Sequence, residues 1–81
     1  MVAETKFIQS ILPENYSTEM RFNGVFCYCK NSDGMSDEKF DIIRQLTRVK
    51  FDKRLIEISH TELLPKDFIK THMQFTIYLR P

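Results

Sequence analysis

The chain alternates between segments whose apolar residues recur at helical spacing and segments where they recur at every second position. Between Ala3 and Leu12, Phe7, Ile8, Ile11 and Leu12 follow the i, i+1, i+4, i+5 pattern of a helical stripe, which Pro13 ends. A strand would place Phe7 and Ile11 on one face and Ile8 and Leu12 on the other, so both forms stay open, with helix the preferred one. Pro13 to Thr18 is polar and reads as a turn, since Glu14, Asn15 and Ser17 can bond locally to backbone. From Arg21 to Lys30 the period becomes two: Phe22, Phe26 and Tyr28 form one row, and Val25, Cys27 and Cys29 the other. Both rows are largely apolar, as in a strand covered on each side. Gly24 interrupts the aromatic row and predicts a bulge or the close approach of another backbone. Asn31, Ser32, Asp33 and Gly34 read as a turn.

The clearest helix follows, over about residues 37 to 50. Ser36 suits the N-cap, and Asp37 and Glu38 bring negative charge to the exposed amides of the first turn. Phe40, Ile43, Leu46 and Val49 recur every three residues, with Ile42 widening the stripe into a face for a sheet. Arg44, Arg48 and Lys50 come late, in keeping with the helix dipole. Arg54 to His60 resumes alternation, with Leu55, Glu57 and Ser59 opposite Ile56, Ile58 and His60. Thr61 to Leu64 reads as a loose turn, and Pro65 opens a short helix in which Phe68 and Ile69 point inward. Met73, Phe75, Ile77 and Leu79 then alternate with Gln74, Thr76, Tyr78 and Arg80 in a half-buried strand.

These elements predict an α+β fold: a small three- or four-stranded, mainly antiparallel sheet with one long helix packed across a face. Phe40, Ile43 and Leu46 need an apolar sheet face, and Phe75, Ile77 and Leu79 supply one. With 81 residues and 9.7 kDa, a single domain over residues 1–81 is expected. No apolar run approaches the roughly 20 residues of a membrane span, so the expectation is a cytoplasmic protein that does not enter a membrane.

Twelve basic and eleven acidic residues leave a net charge of +1, against a surface built throughout for nucleic acid. Cys27 and Cys29 would project from one strand face roughly 6.5 Å apart, too far for a relaxed disulfide, and read as free thiols of a reducing compartment. With His60 and His72 they match zinc ligands in type. A C-x-C pair inside a strand does not aim both sulfurs at one tetrahedral ion, so no metal is assigned. Nothing in the sequence sets a histidine beside either thiol, and Glu57 and Glu62 make only a generic carboxylate pair. No glycine-rich phosphate loop is present, and Asp33, Asp37 and Glu38 around Gly34 would repel a phosphate. The expectation is therefore a non-enzymatic chain without a cofactor.

The most informative charge feature is the cluster Arg44, Arg48, Lys50, Lys53 and Arg54, net +4 across residues 44–54 once Asp52 is included. An acidic beginning and a basic end make one helix a dipolar surface that can orient a partner. The expected function is that of a small regulatory, inhibitory or adaptor protein that binds another protein of acidic or mixed surface. Its binding residues would be Arg44, Arg48, Lys53 and Arg54 for steering and Phe22, Phe26 and Tyr28 for anchoring. Because one helix cannot cover both rows of the Phe26 strand, the other row is expected to be covered by the N-terminal helix, a second copy of the chain or another protein, which makes a homodimer a further expected partnership. The alternative is a nucleic-acid module that stacks bases on the same aromatics beside the basic cluster; the balanced charge and the lack of an RNA-binding motif weigh against it.

Overall fold

The computed structural model describes residues 1–30, 34–60 and 72–80. Its elements are helix α1 (Val2–Ile11), strands β1 (Tyr16–Arg21) and β2 (Gly24–Cys29), helix α2 (Asp37–Phe51), and strands β3 (Leu55–His60) and β4 (Gln74–Leu79). The strands form one antiparallel sheet in the order β1-β2-β4-β3, so two hairpins meet along β2 and β4. The α+β architecture is the one expected, and the first segment is a helix. Apart from Gly34, the turn read at Asn31 lies outside the described residues, as do the loose turn at Thr61 and the short helix at Pro65.

β1 begins within the stretch read as a polar turn, Pro13 to Thr18, and runs on to Arg21. Its residues carry a half-amphipathic pattern too weak to register alone: Tyr16 is fully buried, Thr18 half-buried and Met20 exposed. As an edge strand it needs only one covered face, so polar residues suffice elsewhere. The β1–β2 turn is Phe22 and Asn23, closed by the Arg21–Gly24 pair. Phe22 is thus not in the aromatic row; it sits at the hairpin tip, 98% exposed.

One core lies on one side of the sheet. Val25 and Cys27 of β2 and Phe75, Ile77 and Leu79 of β4 are fully buried there. α1 covers them with Ile8 and Leu12, and α2 with Phe40, Ile43 and Phe51. Phe7 meets Phe51 edge to face at 5.5 Å between ring centroids, which joins the two helices over the same face. The N-terminal helix therefore does not cover the row of Phe26 and Tyr28, which alternates to the other side. Each fully buried Ile or Leu contributes about 1.5–3 kcal/mol relative to an exposed one.

Two local devices set the register. In β3 it shifts between Leu55 and Glu57, so Leu55 pairs with Leu79 and Ile58 with Ile77. An unbroken strand would send Leu55 and Ile58 to opposite faces, as strict alternation predicts; the bulge lets both pack against the core. At the start of β4, His72 adopts a left-handed backbone (φ 59°) and its ring stacks on Phe40 with centroids 3.8 Å apart. Its Nε2 lies 2.7 Å from Asp37 Oδ1, and its carbonyl accepts the Tyr16 hydroxyl at 2.8 Å. Strand β1, the N-terminus of α2 and the entry to β4 converge on this residue.

α2 begins as expected, with Ser36 Oγ accepting the Lys39 amide at 3.1 Å. Its buried line, however, is Phe40, Ile43, Thr47 and Phe51, while Ile42, Leu46 and Val49 are 46%, 44% and 81% exposed. The three-residue repeat fails for a geometric reason. Each such step falls about 60° short of a full turn, so Val49 lies about 180° from Phe40. Thr47 takes the core position that Leu46 was expected to fill, and its hydroxyl donates to the Ile43 carbonyl at 2.6 Å.

Gly24 meets the expectation of close backbone approach: a Cβ there would lie 2.2 Å from the Ile77 carbonyl oxygen. Gly24→Ala should cost about 1–3 kcal/mol by forcing β2 from β4. Urea unfolding of the variant checks this, and an unchanged midpoint would contradict the contact.

Candidate functional site

The side chains expected to bind divide between the two sides of the sheet. Phe26 and Tyr28 lie on the face away from the helices, stacked at 5.5 Å, with the Arg21 guanidinium 5.1 Å above Phe26. Among the described residues no helix packs there. The basic residues belong to α2 and its exit, on the helix side. Arg44 is half-buried with its guanidinium 5.9 Å from the Phe40 ring, whereas Arg48 and Lys53 are exposed. Arg54 reaches α1 and pairs with Glu4 at 2.5 Å. Phe26 and Tyr28 thus do not share one surface with the basic residues of segment 44–54, and Arg21 is the cation beside them.

The surface that does combine apolar area with charge is the outward side of α2. Ile42, Leu46 and Val49 stand at i, i+4 and i+7 and fall within an arc of about 60°, so they form a continuous stripe along the helix. Core packing turns this stripe outward, because Phe40, Ile43 and Phe51 occupy the sheet-facing side. By the same geometry Glu38 and Lys53 extend it at its two ends and Asp41 and Arg48 lie along one flank, all four exposed. Sequence reading placed these three apolar residues in the core. The overlooked signal was the second stripe, Phe40, Ile43, Thr47 and Phe51, whose steps of three and four residues hold one direction along the helix.

Where α1 crosses the end of α2, a pocket of about 310 Å³ is lined by Ala3, Glu4, Phe7, Lys50, Phe51 and Arg54. The Lys50 ammonium stands 5.4 Å from the Phe7 ring, and the Glu4–Arg54 pair closes one side. A backbone hydrogen bond to Glu4 and then its bond from Arg54 hold the carboxyl below its ordinary value of 4.5. With the internal charges so engaged, this pocket ties the helices together and holds no nucleophile beside a base.

The thiols differ. Burial pushes Cys27 up to about 12, which leaves it a protonated, inert core residue near neutral pH. Cys29 is half-buried, its sulfur accepting from Asn15 Nδ2 at 3.3 Å and from the Gly34 amide at 3.4 Å. Both are free. Among the described residues, no group of three or more His, Cys, Asp or Glu side chains is placed to hold a metal ion. The Glu57 side chain, Glu62 and the His60 side chain lie outside what is described. No described helix is long and apolar enough to cross a membrane. No protein-family model, curated protein or solved structure matches the chain.

Two outcomes follow from this geometry. Because Glu4 is depressed in the folded state, its stabilising contribution is complete above its unfolded-state value and is lost as pH falls through the folded one. Arg54→Ala should therefore raise the Glu4 titration midpoint toward 4.5 in a carboxyl NMR titration, and an unmoved midpoint would contradict the Arg54 contact. Native protein treated with a disulfide reagent at neutral pH should react at Cys29 well before Cys27, as peptide mapping reads. Equal rates would show that Cys27 is not held in the core.

Proposed function

We propose that the chain is a non-enzymatic protein-binding module, regulatory or adaptor in role, which docks through the outward side of α2. The observation that carries this reading is the exposed stripe of Ile42, Leu46 and Val49 on a well-capped helix. Three large apolar side chains set in line on one helix face form a surface that gains free energy when a partner excludes water from it. The helix-in-groove mode of recognition uses the same i, i+4, i+7 anchors. Arg48 and Lys53 beside the stripe would speed encounter and set orientation, while the apolar residues supply most of the affinity. Since Glu38 and Asp41 flank the same stripe, the fitting partner has mixed charge rather than a purely acidic surface.

Nucleic acid is the less favoured class. Stacking on Phe26 and Tyr28 would engage one side of the sheet while Arg48 and Lys53 stood on the other, and Phe22 is at the hairpin tip.

A photo-reactive phenylalanine at position 49 tests the reading in nuclease-treated and untreated cell extract. The expected result is a protein adduct that survives nuclease and disappears when Leu46→Asp is added, while Arg48→Glu with Lys53→Glu slows its formation. Adducts to nucleic acid alone, or a protein adduct indifferent to Leu46→Asp, would overturn it. Circular dichroism of each variant keeps loss of binding distinct from loss of fold.

A further inference from the structure

The order of charges along α2 carries more than its dipolar character. Segment 37–54 can be folded about the midpoint between Gln45 and Leu46. Asp37 then lies level with Arg54, Glu38 with Lys53, Lys39 with Asp52, and Asp41 with Lys50. Every one of these matches joins opposite signs. The remaining charges, Arg44 and Arg48, fall level with Thr47 and Ile43, so no like pair arises. The same operation sets Ile42 level with Val49 and leaves Leu46 beside the centre.

Helix capping explains part of this order, because acids favour a helix N-terminus and bases its C-terminus. It does not explain Lys39 and Asp52, each of which opposes the dipole at its own end. Both conform to the reversal. Glu38, Lys39, Asp52 and Lys53, moreover, have no ion-pair partner among the described residues, whereas Asp37 is held by His72 and Arg54 by Glu4. Asp41, Arg44, Arg48 and Lys50 likewise have no ion pair among the described residues, and of all these charges Glu38 and Lys53 are the ones that extend the exposed stripe at its two ends.

Resting on the reading of α2's outward side as a binding surface, we infer that its occupant is α2 of a second copy, packed antiparallel about a twofold axis near Leu46. A twofold axis across the helices reverses one relative to the other, and that reversal is the operation under which the charges match. Ile42 of each copy then sits at the level of Val49 of the other, with the two Leu46 side chains beside the axis. Glu38 lies at the level of Lys53 along the stripe itself, a contact that occurs twice, while Lys39 and Asp52 share a level on opposite flanks. A parallel pair would instead bring acid to acid at one end and base to base at the other. A partner of uniformly acidic surface would meet repulsion at Glu38 and Asp41. One pair of helices about 22 Å long gives an interface at the small end of specific ones, so the dimer should be weak, with dissociation in the micromolar range.

Sedimentation equilibrium of the full chain from roughly 1 µM to 1 mM tests this, a span that brackets such an affinity. The expected result is a monomer–dimer equilibrium that Val49→Asp and Leu46→Asp each weaken about tenfold or more. Val49, the most exposed of the stripe, keeps the test valid if the Leu46 variant unfolds. Glu38→Lys and Lys53→Glu should each weaken association several-fold, and the two combined should restore it, because only the antiparallel arrangement sets position 38 against position 53. A monomer throughout, a dimer indifferent to Val49→Asp, or a double variant no better than the single ones would overturn the inference. A monomer that still forms a Leu46-dependent adduct with a different protein sinks self-pairing alone. A monomer with no adduct sinks the docking reading as well.

Discussion

The structure depends on the close pairing of β2 and β4, two apolar strands laid side by side at the centre of the sheet. Gly24 is what permits it, since the Ile77 carbonyl occupies the space a side chain would need. Their shared face, Val25 and Cys27 beside Phe75, Ile77 and Leu79, is fully buried and forms the floor of the core. Both helices are drawn to it because no other described element offers comparable apolar area. The edge strands follow, β1 with the buried Tyr16 and β3 with a bulge that brings Leu55 and Ile58 to the same side. Burial pushes the Tyr16 phenol well above its ordinary value, more than the neighbouring thiols do, and its hydroxyl is satisfied by the His72 carbonyl.

Packing both helices on one face has consequences for what is left exposed. α2 shares the sheet with α1, and its rotation follows from the packing of Phe40, Ile43 and Phe51 into the core, where Phe51 also meets Phe7. That rotation buries Phe40, Ile43, Thr47 and Phe51 and turns Ile42, Leu46 and Val49 toward solvent. A small buried Thr in place of a larger residue suits the close approach of helix to sheet, and its bond to the Ile43 carbonyl removes the cost of burying a hydroxyl. The apolar residues displaced from the core are thereby presented on a rigid, capped helix. A surface held in this way would bind with little ordering cost, which is the physical basis for proposing it as an interface.

Charge acts on the same helix at two scales. Within the chain, Asp37 and Arg54 secure its ends against His72 and Glu4, and these bonds serve the fold. Around the stripe, in the proposed docking, the unpaired acids and bases would govern which surface lies against it and in which direction. Partly shielded contacts of this kind contribute modest affinity and strong discrimination, because a like-charge juxtaposition is costly.

By itself the sequence determined the class of fold, the bounds of α2 with its Ser36 cap, a special backbone role for Gly24 as a bulge or a close approach, and the half-buried strand at the C-terminal end. These follow from rules acting over a few residues: capping, period two, the glycine steric allowance. Helix or strand at Phe7 to Leu12 was open in the sequence and was settled by packing. Strand β1 was hidden because an edge strand needs so little apolar content, and only its pairing with β2 makes it one. The rotation of α2, the bulge that aligns Leu55 with Ile58, and the separation of Phe26 and Tyr28 from the basic residues were decided by the tertiary structure. Each depends on which of two similar apolar sets meets the single dry sheet face, and that choice is made by the summed packing of residues distant in sequence.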